Sequence, residues 1–267
     1  MMYAVRHEGQ CSDGYGTWSL VTYSRPVKFE DRMKTLHAPL VEGRTSKFDD
    51  MEAVFEIPAG VDSLGSFRQW SRSDTFPNRG SICWCNDTII IDMSPERFGS
   101  HNAIKTEFTR VFANLNVQHR LGRVCSDRFR FVHEGANLST EPDLLFVSRA
   151  SLRRKRAEFI AKADGRDDIE VAGAVDVVLE ICSPGSISKD YERMMAAYHL
   201  AGVREYWLVD ALGDETKFAI HTRGPKAFAA LQSPWQISKV FQRKFRLVRK
   251  QIDRNEWDWR LESRPVR

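Results

Sequence analysis

The stretch from Asp176 to Asp210, DVVLEICSPGSISKDYERMMAAYHLAGVREYWLVD, constrains this chain more than any other part of it. Its opening residues alternate Val177, Leu179 and Ile181 with Asp176, Val178 and Glu180, and a pleated strand sorts these two sets onto opposite faces. Both carboxylates then share one face of an apolar strand, where a charge is costly unless something pairs with it. Ser183-Pro184-Gly185 ends the strand, and Ser186 or Ser188 can cap a helix whose first turn carries Asp190. Tyr191, Met194, Met195 and Tyr198 recur at helical spacing, and Gly202 stands where such a helix would stop. Val203 to Asp210 then reads as a second buried strand with a carboxylate at its far end. Asp176 and Asp210 sit at strand boundaries, where an aspartate commonly caps a turn or pairs with an arginine.

The upstream half supplies further elements. Phe67 and Trp70 suggest a short helix, and Ile82 to Met93 reads as a hairpin turning at Asn86-Asp87. Cys83 and Cys85 share one face of it, with no second Cys or His pair at ligand spacing nearby, so a zinc site is not expected. After the Ser94-Pro95 turn, Ile104, Phe108, Val111, Phe112 and Leu115 make an apolar helical stripe, with His101 on the same side at its start. Two strands are expected next, Arg123 to His133 and Pro142 to Val147, with Asp143 opening the second after a proline that favours extended backbone. The run RASLRRKRAEF (149 to 159) is basic; a solvated face is the plain reading, and phosphate contact the sharper one. Lys217 to Thr222 reads as a strand, and Trp235, Phe241, Phe245, Trp257 and Trp259 point to a β-rich C-terminal cap. Within that cap, residues 239 to 254 interleave basic and apolar side chains, again either a solvated strand face or a second strip for nucleic acid.

With 267 residues and 42% hydrophobic content, the chain can bury a full core. Residues 1 to 62 lack a sustained period and read as a weakly ordered extension, with Met33 and Met51 as alternative starts; an accessory strand pair is the competing reading. The domain proper is then expected over residues 63 to 267. A net charge of +4 permits a nucleic-acid partner without demanding one. Five cysteines without a CxxC fit reduced thiols better than a disulfide framework. There is neither an apolar run of about 18 residues nor a signal-peptide core, so no membrane is expected and the cytoplasm is the expected compartment.

EICSP (180 to 184), Asp190, Tyr198, GVREYWLVD (202 to 210), the preceding EPDLLFV (141 to 147) and, more loosely, IDMSPERFGSHNAI (91 to 104) occur in the order found in one known group. Over roughly Phe67 to Ala211 the chain resembles the Uma-two family of bacterial restriction-endonuclease-like proteins, part of the PD-(D/E)XK nuclease superfamily. The resemblance implies an α/β fold: a restriction-endonuclease-like core with a mixed central β-sheet flanked by helices. It also implies hydrolysis of nucleic-acid phosphodiester bonds, DNA before RNA, with Asp143 and Glu180 holding magnesium or manganese. His101 joins the site on the same ground, Glu107 is the nearest helix carboxylate that could reach the metal, and many nucleases of this fold pair two sites in a homodimer.

The chain departs from the pattern at the lysine. The position two after Glu180 is Cys182, and the alternative position inside the following helix is Met194, neither of which carries charge. Lys189 is the favoured substitute because it lies nearest the strand end, with Arg193 second; Asp190 reads first as compensating the helix dipole, with a role near the metal as the alternative. The competing readings are a degenerate relative that binds nucleic acid or a protein without cutting, and a thiol hydrolase using Cys182, for which no nucleophile motif surrounds the cysteine.

Overall fold

The structure, a computed structural model, describes residues 3–6, 21–24, 56–162, 165–184, 186, 189–213, 215–254 and 256–266. In chain order its elements begin with β1 (Tyr3–Arg6), β2 (Val21–Ser24), α1 (Leu64–Ser71), β3 (Ser81–Cys85), β4 (Thr88–Asp92), α2 (Ala103–His119), β5 (Gly122–Ser126), β6 (Arg130–His133), β7 (Leu138–Thr140) and β8 (Leu144–Ser148). They continue with α3 (Arg149–Arg153), β9 (Ala157–Ala161), β10 (Asp168–Gly173), β11 (Val177–Ile181), α4 (Met195–Leu200), β12 (Glu205–Asp210), β13 (Lys217–Arg223), β14 (Phe228–Ala230), β15 (Gln236–Ser238), β16 (Arg243–Asp253) and β17 (Glu256–Pro265). The strands form an eight-stranded sheet in the order β1-β2-β4-β3-β7-β6-β10-β9, a six-stranded sheet β14-β13-β12-β11-β8-β5, and a three-stranded sheet β15-β16-β17. Among the described residues no helix is long and apolar enough to cross a membrane.

The strand with Glu180 is the middle of the six-stranded sheet. β11 runs parallel to β12, with Glu180 opposite Leu208, and antiparallel to β8, with Leu179 opposite Leu144. The alternation read from the sequence separates two cores. Val177, Leu179 and Ile181 pack with Ile104, Phe108, Val111, Phe112 and Leu115 of α2 and with Phe241, Phe245, Trp259 and Leu261 of the C-terminal segment. Val178 and Cys182 pack on the other side with Met194, Ala197, Tyr198 and Ala201, and with Cys83, Phe131 and Val171 of the eight-stranded sheet. The sheet is mixed and covered on both faces, as an α/β core requires. Gly202 ends α4 at φ +74°, a left-handed conformation natural for glycine, and Val203 N–H returns to the Tyr198 carbonyl at 3.1 Å.

Three local expectations are corrected. The strand expected over Arg123 to His133 is two strands in different sheets, because Asp127 and Arg128 both take positive φ, +46° and +58°, and turn the chain between β5 and β6. The helix after Ser94-Pro95 begins with a π-helical turn, Phe98–Asn102, before α2. The helix bearing Asp190 likewise opens with a π-helical turn, Lys189–Met194, and Ser186 does not cap it in the usual way. Its Oγ accepts from Ser183 N–H at 2.9 Å, and its hydroxyl donates to the Asp190 carboxylate. Ser188 lies outside the described residues.

Much of the N-terminal 62 residues also lies outside them, but β1 and β2 pair there, and β2 joins β4 through Val21–Ile91, Thr22–Ile90 and Tyr23–Ile89. Core packing starts just before the expected boundary, with Val61 buried and Ile57 against the cluster around Phe67 and Trp84. Of the described residues, a chain beginning at Met51 retains that cluster and loses the β1–β2 edge pairing. It is expected to fold with a melting temperature within about 4 °C of the full chain, ~1 kcal/mol for a domain of this size. Insolubility or a larger fall would make β1 and β2 part of the core.

Candidate active site

Asp143 stands one residue beyond the Leu144–Leu179 pair, so continuing that register brings it beside Glu180. Its Oδ2 accepts from Ile181 N–H at 2.8 Å and lies 3.3 Å from His101 Nε2, while Oδ1 lies 3.8 Å from Lys105 Nζ. Burial disfavours charge on Asp143. The His101 hydrogen bond and charge, Lys105 and the Ile181 N–H outweigh it and hold the carboxyl below its ordinary value. Glu180 is buried and accepts a 2.5 Å hydrogen bond from the Tyr198 hydroxyl of α4. There burial, and next the Asp190 carboxylate, push the carboxyl up to about 8 against the pull of Lys189. Two carboxyls that look equivalent in the sequence are therefore pushed in opposite directions by their surroundings.

The turn leading into α2 delivers the second group. His101 is buried, and its Nδ1 has no hydrogen-bond partner among the described residues; Glu96 Oε2 lies 3.8 Å from it. Donor atoms of Glu96, His101 and Asp143 all lie within 4.8 Å of one another. Burial opposes the imidazolium, yet Asp143 and Glu96 outweigh it and raise the His101 pKa. Lys105, one helical turn after His101, is buried too; its ammonium donates to Glu96 and, at 3.1 Å, to Asp127 Oδ1. Glu96 and Lys105 were not expected from the sequence. The signal was the four-residue step from His101 to Lys105, which places both on one helix face.

On the far side of Glu180, Lys189 has 12% of its side chain exposed, and its Nζ lies 3.5 Å from Asp190 Oδ1. Burial opposes its charge, but Asp190 and Glu180 outweigh it, so its pKa is raised and the ammonium is kept. Asp190 is buried; burial raises its pKa against Lys189 and the Ser186 hydrogen bond. Glu96, His101, Asp143, Glu180, Lys189 and Asp190 all line one cavity of about 860 Å³. Arg193 is exposed and is not among the lining residues. Met194 is fully buried beside Tyr198, so the alternative lysine position belongs to the core. Cys182 is buried as well, and burial followed by the nearby Asp190, Asp210 and Glu180 carboxylates pushes its thiol far above its ordinary value. A thiol in that setting is a poor nucleophile.

Glu107 is not brought to this cluster. Its carboxylate takes Arg110 through two 2.7 Å hydrogen bonds and the Leu261 N–H at 2.9 Å, fastening α2 to β17. Asp176 accepts from Ser148 N–H and the Ser151 hydroxyl and pairs with Arg204 at 3.2 Å. Asp210 accepts from Tyr191 and from Leu212 N–H, so both aspartates serve turns and pairs. The basic run at 149 to 159 becomes α3 and β9, with Arg153, Arg154 and Lys155 exposed and none of the run lining the cavity. Cys83 and Cys85 are buried core thiols.

A search of curated proteins finds no significant match. Among solved structures, the chain is similar to the crystal structure of "a putative nuclease belonging to DUF820 from Anabaena variabilis ATCC 29413", with 18% identity, 66% of this chain and 87% of that chain covered, and a TM-score of 0.49. The family profile described as "Uma2: Putative restriction endonuclease" matches residues 66–248, which spans α1 to β16 and takes in Asp143, Glu180 and the whole Asp176–Asp210 unit. That match extends over most of the chain, and the chain accordingly belongs to the Uma2 family.

Proposed function

We propose that the chain is a divalent-metal-dependent nuclease that hydrolyses nucleic-acid phosphodiester bonds, DNA in preference to RNA, in the cavity holding Asp143 and Glu180. The observation that carries this reading is the convergence on that one cavity of Asp143 from just before β8, Glu180 from β11, Glu96 from the loop before the first π-helical turn, and His101 and Lys189 from the two π-helical turns. The family's description supports nucleic acid as substrate. The donors fit a hard divalent ion: carboxylate oxygens predominate, and the unpartnered, buried His101 Nδ1 adds an imidazole that manganese accepts readily. Asp143 would hold the ion, with Glu180 and then His101 and Glu96 as further donors. Such an ion, when bound, neutralises phosphate charge and lowers the pKa of water.

The residues divide the remaining work. Asp143 is ionised and fixed by the Ile181 N–H, so it is a ready ligand. Glu180 is held by Tyr198 and gives up a proton before it can ligate. Lys189 keeps its ammonium and offers a fixed cation to the extra charge of the transition state.

A pH dependence follows from Glu180. Its folded pKa of about 8 exceeds the ordinary 4.5, so the stability linked to its proton is complete below about pH 4.5 and is lost as pH rises through about 8. Metal binding runs the other way, because the ion competes with that proton. Calorimetric titration of the full chain with magnesium or manganese should show affinity rising up to about tenfold per pH unit below pH 8 and levelling above it. Affinity that is flat from pH 6 to 9 would remove Glu180 from the ligand set.

A second reading has its own observation. Both usual lysine positions are buried and uncharged, as a relative that binds without cutting would allow. DNA binding in chelator, with no cleavage of DNA or RNA after magnesium or manganese is added, would favour it.

A further inference from the structure

The β16–β17 ribbon carries a surface that the nuclease reading leaves unused. Its inner half is core, where Phe245 and Leu261, with Leu247 beside them, pack on α2. Its outer half leaves the core: β16 is exposed from Arg249 to Asp253, and Trp257 is 45% exposed. The antiparallel register pairs Leu247 with Leu261, Arg249 with Trp259 and Gln251 with Trp257, so all six share one face of the ribbon. On that face the Arg249 guanidinium lies 4.4 Å from the Trp257 ring centre and 5.8 Å from that of Trp259.

This face is tied to the cavity. The Trp259 indole N–H donates to the Gly99 carbonyl at 2.6 Å, and Gly99 belongs to the π-helical turn that carries His101. Phe98 of the same turn is 78% exposed. Phe98 and Trp257 thus leave large aromatic surfaces in water on the two segments that this hydrogen bond joins. The occupant can be chosen by chemistry. On that face, up to the Gln251–Trp257 pair, Arg243 and Arg249 are basic and no paired residue is acidic, which favours a polyanion. Flat aromatic faces gain little from a blunt duplex, whose bases are already stacked, and gain most from unpaired bases. An arginine already stacked on tryptophan is preorganised and keeps its N–H edge free for phosphate.

We propose that Trp257, Arg249 and Phe98 form a stacking platform for an unpaired nucleotide strand adjoining the cavity. The proposal rests on the nuclease reading and names the form of nucleic acid that the protein engages. Bases stack on Phe98 and Trp257, and Arg249 takes a phosphate.

Fluorescence anisotropy of the full chain in chelator, where nothing is cut, tests it with a dye-labelled blunt duplex and the same duplex bearing a single-stranded tail. Trp257→Ala and Phe98→Ala should each weaken binding of the tailed duplex by about tenfold, the scale of losing one stacked base, and change the blunt duplex by less than about twofold. Trp257→Phe should keep most of the affinity, and Arg249→Gln should lower the salt slope by about 0.7. Should Trp257→Ala fail to fold, Phe98→Ala carries the test, since that side chain is exposed. Folded alanine variants that bind the tailed duplex as tightly as the parent overturn the platform, and so do equal losses on both duplexes, which would indicate backbone contact only. If the parent cuts DNA while these variants bind unchanged, the platform fails alone; if the parent binds no nucleic acid, both readings fail.

Discussion

Replacing Asp143 and Glu180 together by alanine is expected to remove metal-induced stabilisation and to lower cleavage by about 10³-fold or more, since the ion contributes several kcal/mol to the transition state. In the parent, magnesium or manganese at about 100 times its Kd should add ~2.7 kcal/mol of stability by mass action. The double variant should show none of it. Fold damage has to be separated from site loss, because Asp143→Ala leaves the buried Ile181 N–H without its acceptor, a cost of about 1–3 kcal/mol. The metal-dependent difference in melting temperature is therefore the readout, not the melting temperature itself. A folded double variant that keeps the parent's shift would place the ion elsewhere, and the first alternative would be Glu96 with His101.

Replacing Lys189 by methionine should lower the cleavage rate by about 10²-fold while leaving metal binding intact, the scale of losing one fixed donor to developing charge. The side chain is nearly enclosed, lines the cavity and is paired with Asp190, and its charge acts directly on Glu180. Arg193→Met should do much less, because Arg193 is exposed and off the cavity wall. Lys105 is the informative rival. It lies 3.8 Å from Asp143 and also pairs with Glu96, so Lys105→Met removes a charge that repels the ion and should act chiefly by raising metal affinity. A large fall in rate for Lys105→Met with unchanged metal affinity, and a small one for Lys189→Met, would move the cation to α2.

The sequence made the central unit readable because two periods coincide there with breakers. Val177 to Ile181 alternate, the helix after them carries an apolar face, and Gly202 stops it; the two cores on either side of β11 are the direct result. The hairpin at Asn86-Asp87 was legible for the same reason, both residues taking positive φ at +49° and +59°. Arg123 to His133 misled because its apolar residues continue across Asp127-Arg128, and a two-residue change of φ leaves little mark on hydrophobic pattern. Asp143 and Glu180 can be singled out from the sequence, but not the inequality of their surroundings. Glu180 faces a layer containing Tyr198 and Asp190, whereas Asp143 faces His101 and Lys105, and only tertiary packing assigns those neighbours. Lys105 escaped notice because a charged helix residue usually points into water, and Glu107 drew notice through the resemblance, as the nearest carboxylate on that helix, although its partners are Arg110 and β17.

Cleavage of supercoiled plasmid DNA by the purified full chain, followed as magnesium or manganese is titrated and then removed with chelator, tests the central claim most directly. Nicking that appears with the ion, disappears with chelator and is lost in the Asp143→Ala, Glu180→Ala variant is the predicted result. Nicking that survives chelator or the double substitution would contradict the account, as would its absence at every metal concentration while the ion still stabilises the fold.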